Sequence, residues 1–231
     1  MTSDSTSVRP RVSVIMAAYN AEEYIGPALE SLLAQDWESF EVIVLDDGST
    51  DRTAEIAKSF GRVQYVWQEN SGPSAARNAA LAHSTGALIA NFDSDDLLPP
   101  SRLRLQATYL EEHAAVGCVF GRQEWLNPPP WLARDNVYGE IDGIPLSSAM
   151  FRRKVLLDLG GYDTSFIRGE DMDVLIRMRE LGIQYAVLPD TVLYRRFHET
   201  SLTGGRSFHN PLLRSLRAKL ERERTGEDTQ L

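Results

Sequence analysis

The stretch "RVSVIMAAYNAEEYIGPALESLLAQDWESFEVIVLDD", residues 11–47, decides the fold class. Residues 11–19 form a continuous apolar run rich in β-branched side chains, which is typical of a strand buried on both faces. Apolar residues then recur at helical spacing over residues 21–35. A second apolar run covers residues 40–47 and ends in two aspartates. A buried strand, an amphipathic helix and a second buried strand in succession predict parallel strands connected by a helix.

The same alternation continues to about residue 114. The pattern predicts two more strands, over 62–68 and 87–92, and three more helices, over 49–60, 72–86 and 99–113. Strict alternation of apolar strands with helices predicts an α/β fold, a nucleotide-binding architecture whose parallel sheet is covered on both faces.

After residue 114 the regular alternation of strands and helices ends. The second part is expected to extend the same sheet with both parallel and antiparallel strands. The predicted elements are a strand over 115–121, an irregular insertion over 122–140, a strand with a short helix and a Gly-Gly turn over 145–163, a helix over 170–182, and strands over 183–189 and 191–197. We divide the chain into a disordered tail over 1–10, two halves of one domain over 11–114 and 115–203, and an amphipathic helix with a tail over 204–231.

Composition and charge narrow the function classes. The 231 residues are 42% hydrophobic and 25% charged, as in ordinary globular proteins, and the net charge of −9 argues against nucleic-acid binding. Cys118 lies in an apolar run and is expected to be a buried core thiol. The first ten residues are polar, and no apolar run approaches the roughly 20 residues of a bilayer span. A cytoplasmic protein is therefore expected.

Three predicted strands end in polar motifs: "AAYN" at 17–20, "DDGSTD" at 46–51 and "DSDD" at 93–96. Ligands of open α/β sheets bind beyond the carboxyl ends of the strands, so these motifs are expected to converge. On extended backbone Asp93 and Asp95 point to the same side and suit a hard cation such as Mg²⁺ or Mn²⁺. A solvated loop that caps the next helix is the alternative. The glycine patterns of dinucleotide-binding and Walker phosphate loops are absent from the sequence.

Several motifs together resemble one enzyme family. They are "VSVIMAAYN", "EVIVLDDGSTD", "NSGPSAARNAAL", "ALIANFDSDDLLPPSRL", "LGGYDTSF", "GEDMDVLIRM" and "YRRFHETSLT", in this order from about residue 11 to residue 203. They resemble the family 2 glycosyltransferases that use nucleotide sugars. The resemblance implies a GT-A (Rossmann-like) α/β fold with a mostly parallel, mixed central sheet flanked by helices, in which 11–114 binds the donor and 115–203 the acceptor.

The resemblance also implies roles on the donor side. Ala17 and Tyr19 would line the nucleoside pocket, and Asp47 would bind the base or ribose with Asp46 in support. Residues Asn70, Arg77 and Ser94 would also face the donor nucleotide. Without the resemblance, a surface charge at Arg77 and a core aromatic at Tyr19 are the simpler interpretations.

For the chemistry, the resemblance implies that Asp93 and Asp95, the DxD pair, hold Mn²⁺ or Mg²⁺ with His198 nearby. Asp171 would be the general base and Glu170 would orient it or the acceptor. One base and a direct displacement imply inversion at the anomeric carbon. Acids in the first turn of a helix can instead simply complement the helix dipole.

The implied substrates are a nucleotide-diphosphate sugar, most often a UDP sugar, and a glycan, lipid-linked or small-molecule acceptor. The tryptophans of the 122–140 insertion could contact the acceptor or belong to a structural flap. The basic amphipathic helix after residue 204 could contact a membrane peripherally, pair two subunits or pack on its own domain. An inactive nucleotide-sugar binding protein of the same fold is the alternative function.

Overall fold

The computed structural model describes residues 11–128, 145–166 and 169–198. The strands are β1 (Val12–Ala18), β2 (Phe40–Asp46), β3 (Val63–Trp67), β4 (Leu88–Asp93), β5 (Val116–Trp125), β6 (Met150–Arg152) and β7 (Gln184–Arg195). The helices are α1 (Ile25–Leu33), α2 (Thr53–Ser59), α3 (Pro73–His83), α4 (Arg102–Glu112), α5 (Arg153–Asp158) and α6 (Glu170–Glu180), with a 3₁₀ turn at Leu146–Ser148. The predicted N-terminal tail, most of the insertion and the C-terminal helix lie outside the described residues.

The strands form one sheet in the order β3-β2-β1-β4-β6-β5-β7. The pairs β1–β2, β1–β4, β2–β3 and β5–β7 are parallel, and β6 is antiparallel to both of its neighbours. The expected mixed, mostly parallel sheet is thus confirmed. The second half of the chain continues the sheet of the first, because β6 and β5 extend it beyond β4.

Two apolar layers cover the sheet, as the continuous apolar strands predict. Along β1, Val14 and Met16 face a core shared with α1, α2 and α4, whereas Ile15 faces a core shared with α3, α5 and α6. Successive side chains of β1 are therefore buried on opposite faces of the sheet, in one apolar layer or the other. Cys118 is buried in the second layer, as expected, and burial raises the pKa of its thiol.

The two strands predicted over 183–189 and 191–197 form the single strand β7, so the prediction of two strands is wrong. β7 is the edge strand and stays paired with β5 past Pro189 through a bulge, since Gly121 pairs with Leu188 and Arg122 with Thr191. An edge tolerates a proline because the missing N–H costs no bond to a neighbouring strand. Pairing with β7 also extends β5 to Trp125, into the predicted insertion.

Helix α1 begins at Ile25, later than predicted. The preceding residues form a turn because Asn20 adopts a positive φ of 47°. The N–H of Ala21 donates to the hydroxyl of Thr53 (2.7 Å) and the N–H of Glu22 donates to the carboxylate of Asp51 (3.0 Å). These bonds tie the end of β1 to the start of α2.

The register of the strands brings the three polar motifs together, as expected. Ala18 pairs with Asp46 on one side of β1, and Ala17 pairs with Asp93 on the other. The carboxyl ends of β2, β1 and β4 therefore lie side by side at one edge of the sheet. Within the ranges given above, every helix is too short or too polar to cross a lipid bilayer.

Candidate active site

Three carboxylates lie together where β4 ends. Asp93 is the last residue of the strand, and Asp95 and Asp96 follow in a turn closed by the N–H of Asp96, which donates to the carbonyl of Asp93 (3.4 Å). One oxygen of each carboxylate lies within 4.8 Å of the other two. Asp93 and Asp95 are partly exposed and Asp96 is buried.

The three acids repel one another. Burial and the charge of Asp93 raise the pKa of Asp95, and burial together with the charges of Asp95 and Asp93 raises the pKa of Asp96 well above its ordinary value. A divalent cation would relieve this repulsion, and carboxylate oxygens are the ligands that Mg²⁺ and Mn²⁺ prefer. The donor set therefore fits such an ion.

His198 approaches the same cluster from the far end of the chain. Its Nε2 lies 2.9 Å from Oδ2 of Asp95. The backbone groups of Leu97 and Tyr194 exchange two hydrogen bonds of 2.9 Å, which pair the turn after β4 with the end of β7. The structure thus brings together Asp93, Asp95 and His198, the three residues that the sequence analysis associates with a metal.

Arg77 is buried beneath these acids. It lies on α3, is 7% exposed, and its two terminal nitrogens each lie 2.9 Å from a carboxylate oxygen, one of Asp93 and one of Glu170. Burial disfavours the guanidinium charge, but Asp93 and Glu170 outweigh burial and raise the pKa of Arg77. The interpretation as a surface charge is wrong. Arg77 links the acids of β4 to those of α6.

Replacing Arg77 by Met is expected to destabilise the protein by about 3 kcal/mol, the lower end for a broken buried ion pair, because Asp93 is partly exposed. Urea unfolding measures this loss. Arg104→Met is the matched control, since the Arg104–Asp36 pair is exposed and such pairs contribute at most about 1 kcal/mol. Equal losses in the two variants would contradict the bridging role of Arg77.

The acids that begin α6 have different surroundings. The N–H of Leu146 donates to Oδ1 of Asp171 (3.0 Å), and burial and the charge of Glu170 raise the pKa of Asp171 to about 6. Glu170 is buried against Arg77, and Asp173 is buried in an ion pair with Arg177 (2.7 Å). In ranges 11–128, 145–166 and 169–198, Asp171 is the member of this trio without a salt bridge.

Asp46, the last residue of β2, and Asp47, which follows it, accept hydrogen bonds from nearby backbone and side-chain groups. The N–H of Ser49 (2.8 Å) and the hydroxyl of Tyr65 (2.6 Å) donate to Asp46. The carboxylate of Asp47, 4% exposed, accepts bonds from the side chain of Gln68 and from the N–H groups of Ser71 and Gly72. These bonds hold loop 68–72 against the end of β2.

The remaining donor-side candidates line the open side of this edge. Tyr19 is 54% exposed, Asn70 is exposed, and Ala17 and Ser94 are partly exposed. Tyr19 is thus not a core aromatic. Asn70 lies close to the end of β2, because a Cβ on Gly48 would be 2.9 Å from the backbone nitrogen of Asn70. Only glycine fits there, and its φ of +81° is likewise one that glycine favours.

Tyr24 was missed by sequence reasoning. Helical spacing assigns it to the apolar face of α1, but its ring lies against His198. The spacing could not show this contact, since it depends on where the chain returns 174 residues later.

Known proteins resemble this chain in sequence and in structure. The profile of glycosyl transferase family 2 matches residues 13–166. The succinoglycan biosynthesis protein ExoU of Rhizobium meliloti is 32% identical over 205 residues, which cover 77% of this chain and 59% of ExoU. The chain belongs to glycosyl transferase family 2. Its fold is the GT-A fold of the solved structures described next.

Two solved structures superimpose well on this family 2 chain. S. aureus TarS in complex with UDP-GlcNAc matches with a TM-score of 0.70 and 25% identity over 83% of this chain and 60% of TarS. The mannosyltransferase PcManGT of Pyrobaculum calidifontis, in complex with GDP-Man and Mn²⁺, matches with a TM-score of 0.66 and 26% identity over 84% of this chain and 59% of PcManGT. The chain spans between 13% and 59% of the length of curated relatives that it matches.

Proposed function

We propose that this chain is an inverting glycosyltransferase that moves a sugar from a nucleotide-diphosphate sugar, preferably UDP-linked, to an acceptor hydroxyl. The observation that carries the proposal is the position of Arg77, whose guanidinium binds both Asp93 and Glu170. This bridge holds a cation-suited acid cluster next to Asp171, a carboxylate with a pKa of about 6. Such a pair of sites is what sugar transfer requires.

The first site would support the leaving group. Asp93 and Asp95, with His198, would hold Mn²⁺ or Mg²⁺. The bound cation would act as a Lewis acid that offsets the negative charge developing on the departing diphosphate. Asp96 would hold the turn in shape, since its carboxylate accepts the backbone N–H of Arg196 (2.9 Å).

The second site would activate the acceptor. A carboxyl with a pKa of about 6 is mostly ionised at neutral pH and can accept the proton of an attacking hydroxyl. The N–H of Leu146 fixes one oxygen of Asp171. The guanidinium of Arg77 forms its salt bridge to α6 with Glu170. With a single base and no second nucleophile in the proposal, the sugar transfers directly and its anomeric configuration inverts.

Donor binding is supported by the neighbours, since TarS was solved with UDP-GlcNAc and PcManGT with GDP-Man and Mn²⁺. In this chain the nucleotide would lie against Ala17, Tyr19 and Asn70, with Ser94 next to the diphosphate. Asp46 and Asp47 would act indirectly, by holding the turn at Ser49 and loop 68–72. The acceptor would be a glycan, a lipid-linked glycan or a small molecule that reaches Asp171.

Release of nucleoside diphosphate tests the proposal. UDP, GDP and TDP sugars are incubated with the purified protein, with Mn²⁺ or with a chelator, and diphosphate release is measured with and without candidate acceptors. We expect slow release from one donor that depends on Mn²⁺ and accelerates with an acceptor. Binding of a donor without any release would favour the inactive binding protein instead.

A further inference from the structure

Tyr24 makes an aromatic contact with His198. Tyr24 immediately precedes α1, and its ring stacks on the imidazole with centroids 4.5 Å apart and planes at 27°. The guanidinium of Arg196 lies 5.4 Å from the centre of the same ring. One side chain near the N-terminus of the domain therefore contacts two residues of the segment that follows β7.

That segment is fastened to the acid cluster at several points. The side chain of Arg196 donates from Nε to the carbonyl of Asp95 (3.0 Å), and its N–H donates to Asp96. His198 reaches Asp95 through Nε2. The backbone bonds fix where the chain runs. A stacking partner restricts the plane of the ring.

We propose that Tyr24 is a positioning residue for the metal site: it holds the imidazole of His198 at the angle from which Nε2 reaches Oδ2 of Asp95. The inference rests on the proposed function, because it assumes that Asp95 and His198 bind a metal. Residues that orient a metal ligand typically change metal affinity by about 10- to 100-fold when removed. The aromatic ring of Tyr24 makes the contact with His198, so the positioning role does not need the hydroxyl.

The chain offers a matched control. Tyr109 also stacks on a histidine, His113, with centroids 4.0 Å apart and planes at 13°, on α4. His113 is exposed and is absent from the acid cluster of the described residues. Tyr109→Ala therefore removes an equivalent stack without touching the proposed site.

The first measurement tests the stack itself, without metal. Imidazole ¹H–¹⁵N NMR of the full chain resolves the ring signals of the 4 histidines, assigned with His198→Asn and His113→Asn variants. We expect Tyr24→Ala to shift the signals of His198, Tyr24→Phe to leave them nearly in place, and Tyr109→Ala to shift only those of His113. Unchanged His198 signals in Tyr24→Ala would overturn the inference.

The second measurement is the affinity for Mn²⁺ alone, from the EPR signal of free Mn²⁺. We expect Tyr24→Ala to raise the dissociation constant roughly tenfold, with Tyr24→Phe and Tyr109→Ala close to wild type. In the His198→Asn background Tyr24→Ala should add less than about twofold, because the ring it positions is gone.

The outcomes separate this inference from the proposed function. Affinity that falls in Asp95→Asn but not in Tyr24→Ala would overturn the role of Tyr24 and leave the metal site in place. The same loss from Tyr24→Ala with and without His198 would show a general structural effect and would also overturn it. A folded wild-type protein that binds no Mn²⁺ would overturn both.

Discussion

Replacing Asp95 by Asn is expected to lower kcat/KM for sugar transfer by about a thousandfold, because Lewis-acid stabilisation of a leaving group contributes several kcal/mol. Asp95 is the member of the acid cluster that also meets His198, so its carboxylate lies at the centre of the proposed metal site. An amide of the same shape keeps the packing but supplies one weaker ligand. The rate is measured over a range of Mn²⁺ concentrations, and the variant should need far more metal.

Stability distinguishes this loss from misfolding. Burial and the charge of Asp93 raise the pKa of Asp95, so the ionised carboxylate is less stable in the folded protein than in the unfolded chain. Asp95→Asn removes that charge and should leave the melting temperature unchanged or raise it. Asp158→Asn, which removes an exposed acid paired with Lys154, is the control and should change neither property. An Asp95→Asn variant with wild-type metal dependence would contradict the proposal.

Replacing Asp171 by Asn is expected to lower kcat by about a thousandfold, within the usual contribution of a general base. Donor affinity and the dependence on Mn²⁺ should stay the same, because the donor side of the site does not include Asp171. Asp173→Asn is the matched control on the same helix. Asp173 is buried against Arg177, so its variant should lose stability but keep the kcat of the protein that remains folded.

The pH dependence of kcat/KM gives a second test of the base. Asp171 must be ionised to accept a proton, and its pKa is about 6, so activity should fall as the pH drops below about 6. Glu170→Gln removes a charge that raises this pKa and frees Arg77 to stabilise the anion. The acidic limb should therefore move to lower pH. A limb that stays in place in Glu170→Gln, or substantial activity in Asp171→Asn, would contradict the assignment of the base.

The sheet and the convergence of motifs could be predicted because both follow from local pattern. Alternating apolar strands and helices require parallel strands, and parallel strands bring their carboxyl ends to one edge. The contact between Arg77 and Glu170 joins residues 93 positions apart and depends on how α6 packs beyond β4. Position 77 does carry a hint, since it shares its helix face with the buried Ala80 and Leu81. A charge in an apolar stripe needs buried partners.

Other features could not be predicted because they depend on hydrogen bonds to backbone groups, which the pattern of side chains does not reveal. Arg102 looks like an ordinary charge at the start of α4, yet it is fully buried and donates to the carbonyl of Asn91 (2.7 Å) near the end of β4. Asp47 likewise accepts the N–H groups of a loop that sequence periodicity does not describe. Pro189 separates the two strands that the sequence predicts, but pairing with β5 at the edge of the sheet makes β7 a single strand.

Calorimetric titration of UDP into the purified 231-residue chain, with and without Mn²⁺, tests the central claim most directly. The claim is that Asp93 and Asp95 bind a nucleoside diphosphate through a divalent cation. It predicts UDP binding that requires Mn²⁺, survives in Asp171→Asn and is lost in Asp95→Asn. UDP binding that is indifferent to both Mn²⁺ and Asp95, or a folded protein that binds no nucleoside diphosphate at all, would contradict it.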